Sequence, residues 1–323
     1  MASRSTEPTV LQQCTGFAGS LLWYLSSLMP SRFRWVAGGT IGTILYYLHG
    51  ERRRITQCNL ELCFPEKSKS QCAQIALQSF QFAGRGVLSW GFAMFASDKR
   101  IRREVTWHGE ETLNNYLKTK KSLILLCPHF VSPMLTLRSV GLLSPAVSMY
   151  KPPVNPIFDM GYHCALSGKK SKYRWLNWIY RKRSHNHIDM VSSSGKMLPF
   201  YRALKQGIPF FYLPDQNAKR EAHRVFTPFF NVPAATYTSL TRFGQYTSAR
   251  IFLCFSIMKP SAKGYELYTE QLAEDFITGD AEQDARRLNK TIETLVRRVP
   301  EQYFWLHRRF KTRPPGEPSV YPD

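Results

Sequence analysis

Two short polar steps stand where chemistry is expected. Pro128-His129-Phe130 directly follows the apolar run 122–127 (SLILLC), and Pro214-Asp215-Gln216-Asn217 follows the apolar run 208–213 (IPFFYL). Runs of that kind read as strands buried on both faces. In an open α/β sheet the carboxyl ends of strands collect the functional groups, so both steps belong at one sheet edge. A histidine there can act as a general base near neutral pH, and an aspartate can orient that base or bind a donor group. Taken singly, each has a plainer reading: a structural histidine after a strand, and Pro-Asp turn chemistry. The repeated placement argues for function.

Two segments suit anions. Residues 169–187 (KKSKYRWLNWIYRKRSHNH) interleave Tyr173, Trp175, Trp178 and Tyr180 with basic side chains. On nucleic acid such aromatics would stack; at a bilayer they would sit at headgroup level. The patch Trp175, Leu176, Trp178 and Ile179 favours lipid, and a solvated helix is the plain alternative. Residues 302–314 are the densest basic-aromatic stretch, and their arginine pairs suit phosphate. Residues 227–236 (TPFFNVPAAT) read as a Pro-rich apolar loop entering a helix. The small and hydroxyl side chains of 234–241 would let a ligand approach there, or serve tight packing.

The surrounding elements alternate. Further strands are expected at 251–257 and 264–269. Ser68-Lys69-Ser70-Gln71 has the form of a capping box, with Ile75, Phe80, Ala83 and Val87 following at helical spacing. Residues 196–206 form a helix stopped by Gly207. Asp280-x-x-Gln283 opens another, carrying Leu288, Ile292, Leu295, Val296 and Val299 up to Pro300. Strands alternating with helices predict an α/β fold with a largely parallel sheet.

The chain has 323 residues, with 44 Lys+Arg against 23 Asp+Glu, a net charge of +21. That balance calls for an acidic partner: nucleic acid, an anionic membrane, an acidic protein or a phosphorylated substrate. A hydrophobic content of 43% excludes a disordered chain. The apolar pieces 17–29 and 35–48 fall short of the ~18 residues of an ordinary spanning helix, which argues against a multi-span membrane protein. Leu21, Leu22, Leu25 and Leu28 share one helical face, and Tyr46 and Tyr47 precede Arg52, Arg53 and Arg54. Two membrane-associating helices are therefore expected in residues 1–50, ahead of a domain covering 51–323. Two core helices of a soluble protein are the alternative. Seven scattered cysteines point to free thiols in a reducing compartment, and none has zinc-site spacing.

At this point a family is recognisable. The chain resembles the late acyltransferases of lipid A assembly over about residues 22–321. The resemblance is carried by Arg52-Arg53-Arg54, Asn59-Leu60-x-Leu62-Cys63-Phe64-Pro65-Glu66, Pro128-His129-Phe130 and Asn155-Pro156-Ile157-Phe158-Asp159. It continues through Leu213-Pro214-Asp215-Gln216, Phe226-x-Pro228-Phe229-Phe230-x-Val232-Pro233, Gly264-Tyr265-Glu266 and the closing run from Pro300 to Pro314. It implies a glycerolipid acyltransferase-like fold, a mixed, largely parallel sheet wrapped by helices. It also implies an enzyme at the cytoplasmic face of the inner membrane. That enzyme would move a fatty acyl chain from acyl carrier protein to a hydroxyl of a lipid A precursor or related anionic lipid. No cofactor, metal, covalent acyl-enzyme or nucleic-acid partner is implied.

By this resemblance His129 is the general base; from their positions Asp215 is expected to support the site, and Arg181, Arg183, Arg308 and Arg309 to contact phosphate or the carrier. The family pattern is a histidine, four residues, then Asp or Glu. Here that last position is Met134. Losing the orienting acid of a comparable triad costs about 10⁴ in rate, roughly 5 kcal/mol. Three explanations are open. Another carboxylate (Asp159, Asp189 or Asp215) takes its place; a backbone carbonyl holds the histidine at reduced rate; or the protein is a membrane-bound lipid-binding or scaffold protein that no longer catalyses. Residues between Asp159 and Arg202 also depart, with about a dozen extra positions, and Asn217 stands where an acid is common.

Overall fold

In a computed structural model, which describes residues 7–167, 169–181, 188–192 and 197–321, the apolar runs form the middle of a seven-stranded sheet. Its strands are β1 (Val105–His108), β2 (Leu123–Leu126), β3 (Ala146–Tyr150), β4 (Ile188–Ser192), β5 (Phe210–Tyr212), β8 (Arg250–Met258) and β9 (Tyr265–Gln271). Their order is β1-β9-β8-β2-β5-β3-β4. Every neighbouring pair is parallel except β8–β9. The sheet is thus mixed and largely parallel, as expected.

β2 is buried at all four positions. Ile124 and Leu126 join one apolar cluster, while Leu123, Leu125 and Cys127 join a second on the other face. This alternation is the period-two geometry of a strand covered on both sides.

Twelve helices wrap the sheet among the described residues: α1 (Val10–Leu28), α2 (Ser31–Leu48), α3 (Gly50–Cys63), α4 (Lys69–Phe95), α5 (Asp98–Glu104), α6 (Glu110–Lys118), α7 (Pro133–Val140), α8 (Pro156–Ser167), α9 (Arg174–Arg181), α10 (Leu198–Lys205), α11 (Ser239–Thr247) and α12 (Ala281–Arg298). The start signals act as expected. Ser68 and Gln71 form the capping box of α4, and Asp280 accepts from the N–H groups of Glu282 and Gln283 to open α12.

Pro30 separates α1 from α2. Both helices lie against α4, where glycines let backbones meet: a Cβ on Gly84 would collide with the Gly38 carbonyl. The elbow between them is clamped by Arg34 and Arg100. Both donate to Glu104 and to the Met29 carbonyl. No helix among the described residues is long and apolar enough to cross a membrane.

One expectation is overturned. Residues 227–236 are not a loop entering a helix but the body of a hairpin, β6 (Arg224–Phe229) paired antiparallel to β7 (Val232–Tyr237). Phe230 and Asn231 make its turn with φ of 52° and 64°, the left-handed pair that a two-residue hairpin needs. Pro228 faces Pro233 across the ribbon. A two-stranded ribbon has free edges, so missing N–H groups are tolerated there. The helix begins only at Ser239.

Candidate functional site

The strand register builds the site. β2 and β5 are parallel neighbours, with Leu126 paired to Tyr212. The Cys127 N–H still donates to the Tyr212 carbonyl at 2.8 Å. A proline then follows on each chain, Pro128 and Pro214, and stops the ladder because it has no N–H to give. His129 and Asp215 are the next residues on each side. Equal steps from a paired position bring them together: His129 Nδ1 lies 2.6 Å from Asp215 Oδ1, and the His129 backbone N–H donates to Asp215 Oδ2 at 2.8 Å.

Asp215 is buried, and burial alone pushes a carboxyl upward. The opposing pull of His129, through charge and both hydrogen bonds, together with the Tyr303 hydroxyl, holds it below the usual carboxylate range. An ionised acceptor at Nδ1 keeps the proton on that nitrogen and leaves the Nε2 lone pair free to act as base. The Gln216 side-chain amide reaches Nε2 at 3.1 Å, on the lone-pair side.

The closing segment covers the pair. Phe130 bridges to Tyr303, and the Phe304 N–H donates to the His129 carbonyl at 3.0 Å. Behind the loop, Ser256 of β8 donates to the Ser132 carbonyl. His129, Asp215, Gln216, Tyr303, His307 and Arg309 line a narrow cleft of about 10 Å³, room for little more than a water. His307 accepts the Asn217 backbone N–H at Nε2, 3.0 Å. Burial first, then the neighbouring His129, lowers its pKa to about 4. His307 is therefore a neutral acceptor that fixes the turn after Asp215.

The other candidate carboxylates are elsewhere. Asp159 accepts from the Tyr150 hydroxyl, and Asp189 pairs with Lys169 at 3.3 Å. Met134 is buried in the second apolar cluster with Leu135 and Leu137. The carboxylate beside His129 is Asp215.

The arginines separate. Arg309 is buried in the wall of the cleft, where its guanidinium donates to the Ala235 carbonyl at 2.7 Å and to Thr236 Oγ1 at 3.0 Å. Arg308 is partly exposed and pairs with Glu51 of α3 at 3.2 Å. Arg183 lies outside the described residues, as does the Arg181 side chain.

A histidine held by a buried carboxylate at a sheet edge, with a base nitrogen facing a cleft, is an arrangement for activating a hydroxyl. Comparison with known proteins gives the family of the chain. The description of the bacterial lipid A biosynthesis acyltransferases matches residues 1–312. The chain belongs to that family. It is 32% identical over 303 residues to a lipid A biosynthesis lauroyltransferase of Escherichia coli K12, covering 93% of this chain and 92% of that protein. Similarity extends to a palmitoleoyltransferase of the same organism, at 30% over 95% of this chain and 94% of the relative. A myristoyltransferase matches at 28% over 91% and 86%. As a member of the acyltransferase family the chain is an acyltransferase.

Sequence reasoning missed three members of the site: Gln216, Tyr303 and His307. Each stood in a run quoted for the family resemblance, but nothing local gave it a task. The signal for Gln216 was its place directly after Asp215.

Proposed function

We propose that this acyltransferase moves a fatty acyl chain from acyl carrier protein to a hydroxyl of a lipid A precursor or related anionic lipid. It works peripherally at the cytoplasmic face of the inner membrane. The His129–Asp215 pair carries the reading. Nε2 takes the proton of the acceptor hydroxyl as its oxygen attacks the thioester carbonyl. Collapse of the tetrahedral species breaks the carbon–sulfur bond, and the carrier thiolate recovers the proton from the imidazolium. Asp215 holds the Nδ1–H tautomer and balances the transient positive charge.

Gln216 must release Nε2 before the hydroxyl arrives, so it marks the place of the acceptor. Arg308, with Arg181 and Arg183, is assigned to the phosphates of the acceptor or to the acidic carrier. Arg309 supplies positive charge from the cleft wall, with its guanidinium held by Ala235 and Thr236.

The test is turnover by purified protein with acyl carrier protein thioester and a lipid A precursor. His129→Ala abolishes acylated product while leaving the circular dichroism unchanged; unaltered turnover would sink the assignment. The rival, a lipid-binding protein without turnover, draws on Met134. Wild-type activity removes it, and a folded wild type that makes no product with any such acceptor supports it.

A further inference from the structure

A groove of about 380 Å³ runs between α2 and α4, lined by Trp35, Val36, Gly39, Thr43, Ile44 and Arg85 among others. Its polar feature is Arg85. The guanidinium lies over the Trp35 ring at 3.8 Å and over Phe82 at 4.8 Å, and Nε donates to the Trp35 carbonyl at 3.2 Å. No carboxylate pairs with it among the described residues. Half-buried charge without a counter-ion is costly, and burial lowers its pKa to about 10.

The groove is shaped around this cation. A Cβ on Gly39 would stand 2.9 Å from Arg85 Nη2, so an alanine there would push the guanidinium aside. The next residue, Gly86, turns a different side of α4 to the Val131 carbonyl near the catalytic loop. The groove shares no lining residue with the His129 cleft.

The groove opens onto an apolar helix face. Along α2, Phe33, Val36, Ile44, Tyr47 and Leu48 point outward, with Val36 65% and Leu48 73% exposed. Leu22, Leu25 and Leu28 of α1 are exposed as well. A lone cation among aromatics beside such a face matches a phosphate headgroup with its hydrocarbon below, and the chain's charge of +21 favours an anionic lipid.

We infer that the α2–α4 groove is a binding site for one anionic bilayer lipid, its phosphate on Arg85 and an acyl tail beside Val36 and Ile44, separate from the acceptor site. This rests on the peripheral membrane placement proposed above, but not on turnover.

The experiment is co-sedimentation of the full-length protein with phosphatidylcholine vesicles, with and without phosphatidylglycerol, at matched ionic strength. Wild type prefers the anionic vesicles. Arg85→Gln lowers that preference about five- to tenfold, the worth of one interfacial cation, and keeps its binding to neutral vesicles. Gly39→Ala, which suits a helix and only displaces the guanidinium, does the same. Val36→Ser with Ile44→Ser weakens binding to both vesicle types. An unchanged preference in Arg85→Gln, or equal loss on both vesicles, overturns the site. So does removal of the preference by millimolar inorganic phosphate at constant ionic strength, which would make the ligand a free anion. Failure of the wild type to bind either vesicle type would strike the membrane placement itself.

Discussion

Asp215 accepts one hydrogen bond from the His129 ring and one from its backbone, so a change in the carboxylate alters both the tautomer and the loop. Asp215→Asn offers Nδ1 an amide donor, which moves the ring proton to Nε2 and disables the base. By the behaviour of comparable triads kcat should fall about 10³–10⁴-fold, measured at saturating donor on protein with unchanged circular dichroism. A loss under tenfold would count against the pair. Met134→Glu gives the converse test. It restores the family's acid, but into an apolar cluster, and the Nδ1 proton it would seek is already taken. The variant should lose about 2–4 kcal/mol of stability and gain no turnover; a gain would show that Asp215 does not suffice. His307 adds a pH signature. Its folded pKa is about 4 against an ordinary 6.5. Between those values the unfolded chain holds a proton that the folded chain does not. Stability from this residue is thus present above pH 6.5 and is lost as pH falls toward 4, by about 3 kcal/mol in all. Urea unfolding from pH 7 to 4 should show the loss, and His307→Gln should flatten it.

The elements were legible where their chemistry is local. Strands β2 and β5 could be read from apolar runs ended by proline, and α4 and α12 from their capping residues. That His129 and Asp215 share an edge followed from those strands. That they touch did not, because the order placing β5 next to β2 is set by packing over distant residues. The hairpin at 224–237 was misread since two prolines and Asn231 look like loop chemistry. Only their cross-strand pairing and the free ribbon edges make them compatible with strands. Arg309 sits deeper than its sequence context suggests. In a basic segment an arginine reads as exposed, yet the carbonyl of Ala235 on β7 and the Asn289 side chain of α12 provide it with buried acceptors. The seam between α2 and α4 yields a prediction at this scale. Gly84→Leu would drive a side chain into the Gly38 carbonyl and should cost about 1–3 kcal/mol or more by overpacking. Gly50→Ala, where nothing lies within 4 Å, should stay within about 0.5 kcal/mol. A thermal melt of each separates them, and equal melting temperatures would mean the helices do not meet as described.

Across the whole molecule two kinds of surface meet: a net charge of +21, and outward apolar faces on the first two helices. They act over different distances. Apolar contact works only at touch, whereas unbalanced charge reaches about a Debye length, near 8 Å at physiological salt, and raises encounter rates with anionic partners. The carrier protein proposed as donor is acidic and must arrive, deliver and leave, so charge should govern its capture more than the chemistry that follows. Raising salt from about 50 to 300 mM, at fixed pH and with acceptor held in neutral detergent micelles, should therefore raise the KM for the acyl carrier thioester severalfold. Over the same range kcat should change less than twofold, because the His129–Asp215 contact is direct and Asp215 is buried. Arg308→Gln, on the exposed rim, should weaken the salt dependence. If kcat instead carries the salt effect, charge acts within the reaction step and not in the approach of the donor.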